Sequence, residues 1–256
     1  MKILALDTST KAMSIALMEA VEDLNHARMQ AETTTNTKIK HSTQLLPLVE
    51  SLLRAIHWAP TDIEAVIVTR GPGSYTGLRI GVTFAKTMAW TLNIPLYSIT
   101  SLEALSANHP VDDGLIFTFI NARRQTLFGA GYQFKQGTIA EEVVTSDYYT
   151  LAEFLAQVEQ VLKETTNPNQ SLYFVSPDYQ EFHDAIVARF GEQAVILTGE
   201  EVVMRASQWM HLPLRREDVA TFIPEYLKRA EAEEHWREAH QEEALNDGGH
   251  YVERAD

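Results

Sequence analysis

Three glycines and two hydroxyl side chains stand where phosphate chemistry would need them: residues 70–81 read Arg-Gly-Pro-Gly-Ser-Tyr-Thr-Gly-Leu-Arg-Ile-Gly. Gly71, Gly73 and Gly77 join an apolar run, Ala65-Val66-Ile67-Val68, to a segment apolar at helical spacing over 78–92. A strand, a glycine turn and a helix N-terminus make an anion-binding geometry, because unpaired N–H groups and the helix dipole point at the loop. Ser74 and Thr76 add hydroxyls beside Gly73. The reactive partner is missing. A P-loop ends in Gly-Lys-Ser or Gly-Lys-Thr, with the lysine reaching the outer phosphates, whereas Gly77 is followed by Leu78 and Arg79. A dinucleotide fingerprint wants G-x-G-x-x-G and an acid about twenty residues on; here one more residue separates the last two glycines, and Tyr97 stands in place of the acid. The same glycines would serve a tight turn with close helix packing, so the loop by itself leaves both roles open.

Other reactive groupings are incomplete. A helical metal site of the form H-x-x-x-H fails at His41, which is followed four residues later by Leu45. His235 and His240 are five apart in an acidic stretch, a spacing that puts no two ligands on one helical face. Ser74 lies in no G-x-S-x-G elbow, since Pro72-Gly73-Ser74-Tyr75-Thr76 lacks the second glycine. With no cysteine in 256 residues, disulfides, thiolate metal sites and cysteine nucleophiles are excluded together.

The chain carries 21 basic and 35 acidic residues, a formal net charge of -14, which opposes nucleic-acid binding through bulk electrostatics. Half of that excess is local: residues 231–256 hold nine acids and two bases. Any action on a nucleic acid is therefore expected within a complex whose basic surface lies on another subunit. The opening apolar run meets Asp7 too early for a secretory signal, and no stretch approaches the roughly eighteen apolar residues of a membrane span. A cytoplasmic protein is expected.

The elements that must position the loop repeat. Strands are predicted at 2–6, 13–18 and 25–32, a helix at 41–58 with its apolar stripe at Leu45, Leu46, Leu48, Val49, Leu52, Leu53 and Ile56, a strand at 65–68, a helix at about 76–92 and a strand at 95–99. A short helix opens at Thr100 or Ser101, with Glu103 near its start. The second half runs through the same order: strands at 115–120, 126–134 and 138–144, a helix at 149–163, a strand at 171–175, a helix at 179–190, a strand at 194–197, and a last helix at 201–211. This predicts an α/β chain of duplicated βββαβαβ topology, divided as residues 1–105, 106–215 and a 216–256 terminal segment with the acidic tail. Two such lobes around a cleft describe the actin, sugar-kinase and heat-shock-chaperone ATPase architecture.

In that architecture the acid ending the first strand, Asp7, would hold a metal or orient a water, with Thr8 and Ser9 supplying hydroxyls and N–H groups. The structural alternative is that Asp7 caps its own turn. Glycine is expected soon after such an acid, and Thr8 and Ser9 stand there instead; the equivalent position in the second lobe is Asn121, not a carboxylate. Asp7, Thr8, Ser9, Gly73, Ser74 and Thr76 are accordingly the candidates for residual ATP or ADP binding, with no catalytic and no metal-ligating residue assigned. The rival reading is an enzyme of the same fold, a small-molecule kinase or ATPase or a metallopeptidase-like protein.

Ile3-Leu4-Ala5-Leu6-Asp7-Thr8-Ser9, the glycine loop through Gly81, Ala85-Lys86, Ser101-Leu102-Glu103-Ala104-Leu105 and Pro224-Glu225-Tyr226-Leu227-Lys228-Arg229 together resemble the bacterial TsaB family. The first lobe carries most of the likeness. The resemblance implies a role in making threonylcarbamoyladenosine in tRNA beside the anticodon, as the non-catalytic partner of a TsaD-like catalytic subunit, with a TsaE-like ATPase joining the pair and tRNA met through the complex; self-pairing when alone is expected from the apolar helix surface of the first lobe. It implies no cofactor of the chain's own. TsaD-like proteins bind metal through a two-histidine helix motif; with Leu45 in place of the second histidine that role does not carry over. Nor does this chain keep the usual Asp-Ala-Arg-Arg of the family, which reads Asn121-Ala122-Arg123-Arg124. The helix over 77–92 is apolar around most of its circumference and needs cover on more than one side. Leu45, Val49, Leu52 and Ile56, with Ile80, Phe84 and Met88, are the expected partner interface.

Overall fold

A computed structural model describes residues 1–228 except 22, 23, 37–39, 110, 111, 166 and 168. Arg229, His235, His240 and the acidic tail singled out above lie outside the described residues.

Each half of the chain builds one sheet from the same sequence of elements. In the first, β1 (Lys2–Asp7), β2 (Met13–Glu19) and β3 (Arg28–Thr35) form antiparallel hairpins, and α1 (His41–Ala55), β4 (Ala65–Thr69), α2 (Tyr75–Leu92) and β5 (Leu96–Ile99) add two parallel crossovers. After α3 (Ser101–Ser106), β6 (Gly114–Arg123), β7 (Thr126–Lys135), β8 (Thr138–Thr150), α4 (Leu151–Glu164), β9 (Leu172–Val175), α5 (Tyr179–Phe190) and β10 (Ala194–Ile196) repeat the plan. The strand orders are β5-β4-β1-β2-β3 and β10-β9-β6-β7-β8, so the predicted duplication holds strand for strand. The first sheet gains one further strand, β11 (Arg215–Glu217), antiparallel to β5.

Five layers result. Central strand β4 is buried throughout and β1 from Ile3 onward, on both faces, as strands covered on both sides must be. On the outer face of the first sheet, Leu45, Val49 and Leu53 of α1 and Val82, Ala85 and Ala89 of α2 meet Leu4, Leu6, Val66 and Val68. On the outer face of the second, Phe154, Leu155 and Val158 of α4 and Phe182, Ile186 and Phe190 of α5 cover Leu115, Phe117 and Phe119. The inner faces share one core: Ala5 and Ile67 from the first sheet, Ile116, Phe128 and Tyr132 from the second, with α3 and the fully buried Trp209 between them. At about 1.5–3 kcal/mol for each large side chain removed from water, this shared layer makes the lobes one folding problem.

Local chemistry explains the boundaries. Thr100 and Glu103 form the capping box that starts α3, as its sequence predicted, and Thr150 with Glu153 does the same for α4. Asn93, in the left-handed region at φ 53°, ends α2. Four expectations shift. The third strand starts at Arg28 because Leu24–His26 takes a 3-10 turn, and β8 continues past Val144 to Thr150. Helix α1 stops at Ala55, before a left-handed His57 (φ 57°). The helix expected at 201–211 is instead two 3-10 turns, Gly199–Val202 and Ala206–Gln208. Tertiary bonds override helical propensity there: Asn108 Nδ2 donates to the carbonyls of Glu201 and Val203, and Glu32 accepts from Arg205 and from the Ser207 N–H. Among the described residues no helix is long and apolar enough to cross a membrane.

Gly77 sits within α2 at a point where an added Cβ would lie 2.0 Å from the Thr8 carbonyl oxygen. We expect Gly77→Ala to force the two backbones apart and cost about 1–3 kcal/mol or more, as overpacking does, read as a melting temperature lowered by several degrees. An unchanged melting curve would show that the close approach is not required.

Candidate functional site

Asp7 ends β1 and turns the chain. Its Oδ1 accepts from the Ser9 N–H at 2.9 Å and from the Thr69 hydroxyl at 2.6 Å, so the carboxyl caps its own turn and ties it to β4. The residue is fully buried. Burial pushes its pKa up, opposed by the hydrogen bonds from Thr69 and Ser9. Thr8 Oγ1 donates to the Gly77 carbonyl at 2.7 Å, and the Ser74 N–H donates to the Ser9 carbonyl at 2.7 Å. The glycine loop thus lies against the β1–β2 turn along its length. A Cβ on Gly73 would fall 2.3 Å from the Ser9 carbonyl oxygen, and one on Gly81 would fall 2.3 Å from Thr8 Oγ1. Ser74 then caps α2, accepting from the Gly77 N–H at 3.3 Å.

A cleft of about 1160 Å³ opens between the lobes beside this loop. Of the residues predicted for a nucleotide, Ser9, Gly73, Ser74 and Thr76 line it, while Asp7 and Thr8 do not. From the second lobe come Asn121 to Arg124 at the β6–β7 hairpin. Asn121 is fully engaged: its N–H donates to Asp178 at 3.1 Å, its Nδ2 to Glu181 at 2.6 Å, and its Oδ1 accepts from the Arg123 N–H at 2.7 Å. Arg123, Arg124 and Gln125 are left-handed in succession, with φ of 70°, 52° and 61°. Each costs roughly 1–3 kcal/mol and is held by the bonds around it, including the Thr126 hydroxyl to the Arg123 carbonyl. His41 gives Nε2 to the Thr10 carbonyl at 2.8 Å, so that nitrogen carries the proton, and Nδ1 is buried without a partner. Among the described residues no three His, Asp or Glu side chains gather as a metal would need.

A strap from the C-terminal segment completes the site, and no strand or contact was predicted for it. Strand β11 is three charged letters with no strand signature; ion pairs fix it, Arg215 with Glu103 at 3.3 Å and Arg70 with Glu217 at 3.1 Å, and Glu217 also accepts from the Ser98 hydroxyl. The chain then passes α2, where Lys86 Nζ donates to the Phe222 carbonyl at 2.6 Å. At the glycine loop the Glu225 N–H donates to the Arg70 carbonyl at 2.7 Å, Glu225 pairs with Arg70 at 2.9 Å, and Gly71 leaves room for the Glu225 carbonyl. Tyr226 packs on Tyr75 with ring centroids 5.0 Å apart and accepts from Arg79 at 3.2 Å. Lys228 reaches the second lobe, donating to the Tyr148 hydroxyl at 3.2 Å. The sequence signal for this strap is Pro224-Glu225-Tyr226, part of the family likeness.

The predicted partner residues divide. Leu45 and Val49 are buried against their own sheet, whereas Leu52, Ile56, Ile80, Phe84 and Met88 are half-buried and flank that core on the outer surface. Leu46 and Trp90 are exposed on the same two helices, at 61% and 71%.

Residues 29–236 match the family of TsaD, tRNA N6-adenosine threonylcarbamoyltransferase. The chain is 39% identical over 241 residues to the tRNA threonylcarbamoyladenosine biosynthesis protein TsaB of Bacillus subtilis, covering 93% of this chain and 99% of that one. It is 32% identical over 135 residues to TsaB of Escherichia coli, covering 52% and 55%. A solved structure from Pseudomonas aeruginosa, described as an uncharacterized protein with similarity to peptidase YeaZ, superposes with a TM-score of 0.68 at 22% identity, covering 89% of this chain and 99% of that one. A second, YeaZ from the same organism, gives 0.62 at 21% over 88% and 99%. These two carry the fold.

The buried acid makes stability depend on pH. Because the folded state raises the pKa of Asp7 above its ordinary value, its contribution is fully present below the unfolded carboxylate range and is lost as pH rises through the folded pKa. We expect the melting temperature of Asp7→Asn, relative to the parent, to climb between acid and mildly alkaline pH. A difference that stays flat across that range would place the charge elsewhere.

Proposed function

The chain belongs to the TsaB family, and from that premise we propose that it is a subunit of the machinery that makes threonylcarbamoyladenosine in tRNA, supporting a TsaD-like catalytic subunit and performing no reaction itself. The observation that carries this reading is the fate of Asp7. The acid expected at the phosphate end of such a cleft is buried, does not line it, and caps the β1–β2 turn through Oδ1. Asn121, its counterpart in the second lobe, is held by Asp178 and Glu181. The chain has no cofactor of its own in this reading, and residual ATP or ADP binding falls to Ser9, Gly73, Ser74 and Thr76, which line the cleft.

The partner face is the outer surface of α1 and α2. Ile56, Phe84 and Met88 stand at its edge, already packed on the lobe but not covered, and Trp90 extends the apolar area. Two copies of the chain would use the same surface to pair when no catalytic subunit is present, and a TsaE-like ATPase would join the heterodimer rather than this chain alone. The setting is the cytoplasm, where tRNA is modified.

Two measurements test this. Reconstitution of tRNA modification from purified components should yield product only when the chain is added; product formation indifferent to it would sink the assignment. Ile56→Asp with Met88→Asp should reduce co-elution with the catalytic subunit at least tenfold, and Trp90→Asp, at a side chain 71% exposed, should weaken it while the melting temperature stays close to the parent's. Val49→Asp is the contrasting variant: its side chain is 3% exposed, so a charge there should unfold the lobe instead. Undiminished co-elution by the double variant would move the interface elsewhere.

A further inference from the structure

The mouth of the cleft concentrates cations in a protein of net charge -14. Lys11, Arg123, Arg124 and Lys228 all line it. The Lys11 side chain is 87% exposed, and both arginines project from the strained tip of the β6–β7 hairpin. Among the described residues three acids share the wall, so the cations outnumber them by one and a phosphate must compete with Asp178 for Lys11: Asp178 pairs with Lys11 at 3.7 Å and accepts from the Asn121 N–H, Glu181 accepts from Asn121 Nδ2, and Glu225 pairs with Arg70 at 2.9 Å. Beside the cations lies an exposed aromatic face. Tyr75 and Tyr226 line the same cleft, 47% and 38% exposed, and the Arg79 guanidinium sits 4.2 Å from the Tyr75 ring centroid.

We propose that this mouth is a direct contact site for single-stranded RNA, in which a base lies on the Tyr75–Tyr226 face and the four cations hold flanking phosphates. Unstacked loop bases are recognised by aromatic and guanidinium planes, while spaced Lys and Arg side chains follow the backbone. Cations spread over both lobes and the strap match a run of phosphates better than the compact charge of one free nucleotide. The aromatic pair is likewise at the rim, where a base on a long chain can reach it. The strained hairpin tip is consistent with a working position, since backbone strain of this kind is retained where geometry serves a function. That the RNA is a tRNA loop rests on the reading given under Proposed function.

Fluorescence anisotropy of a labelled, unmodified anticodon stem-loop RNA, titrated with the full chain in complex with its catalytic subunit, tests the site. Lys11→Glu with Arg123→Glu should weaken binding at least tenfold and lower the slope of log affinity against log salt by about 1–2, as loss of two phosphate contacts requires. Tyr226→Ala should weaken binding about fivefold or more with the salt slope unchanged, and Tyr226→Phe should retain it, because the ring and not the hydroxyl carries stacking. Co-elution with the catalytic subunit should stay at the parental value in all three, and the melting temperature in the charge-reversed and Tyr226→Phe variants. Parental RNA affinity and slope in the charge-reversed variant would overturn the proposal. So would loss of labelled ATP binding in that variant with RNA binding intact, which would give the cleft to a free nucleotide. If reconstituted modification still depends on the chain in either case, the family role stands and this site alone is removed.

Discussion

The Thr8 carbonyl oxygen and the α2 backbone at Gly77 occupy a space with no room for a methyl group, and much of the first lobe is arranged around that approach. Because Gly77 and Gly81 lack a Cβ, α2 can lie directly on the turn that ends β1. Gly73 lets the loop pass the Ser9 carbonyl, and Gly71 lets the strap pass on the other side. One short stretch of backbone is therefore packed against two others that are distant in sequence, residues 7–9 and 224–226. The hydrogen bonds from Ser74 to Ser9 and from Glu225 to Arg70 satisfy backbone groups that such burial would otherwise leave unpaired.

This packing links the cleft to the outer face of α2. The N-terminal turn of α2 borders the cleft, through Ser74, Tyr75 and Thr76, while the later turns carry Phe84, Met88 and Trp90 on the outer face. Lys86 and Arg79 on the same helix hold the strap, which runs on to Tyr148 in the second lobe. The strap therefore ties α2 to the second lobe, and the close approach of Thr8 and Gly77 ties α2 to β1. The shared inner core, with Trp209 and α3 between the sheets, joins the lobes as well.

Periodicity made the duplicated elements legible, since buried strands such as Ala65–Thr69 and amphipathic helices such as Leu151–Glu164 each repeat their own pattern. Capping residues did the same for α3, where Thr100 and Glu103 stand three apart. What was not legible depends on contacts between remote residues. Residues 201–211 have a helical composition, but their backbone groups are claimed by Asn108 and Glu32. Strand β11 is Arg-Arg-Glu and is recognisable only once Arg70, Ser98 and Glu103 are in place to meet it. In the candidate site, the glycine loop and its neighbour turn were found together, but the sequence could not separate Ser9, which faces the cleft, from Asp7 and Thr8 two and one residues earlier. That distinction is set by which way a tight turn points its side chains. Helix α1 shows the same limit: Leu45 and Leu52 belong to one apolar stripe, and only packing tells the buried member from the half-buried one.

Asp7 carries the argument about chemistry furthest. A fully buried carboxyl with one oxygen unpartnered is unfavourable, and an apolar residue of similar size would avoid the desolvation. It persists at a position where its other oxygen gathers the Thr69 hydroxyl and the Ser9 N–H, and those two bonds fix the turn on which Gly73 and Gly77 lean. An acid in this place can either project into the cleft and act on a phosphate or fold back and shape the turn. Here it does the second, since a side-chain rotation that freed the carboxyl would break the bonds from the Ser9 N–H and the Thr69 hydroxyl that fix the turn. The turn-forming choice leaves α2 rigidly seated and its outer face presented, the arrangement an assembly subunit needs.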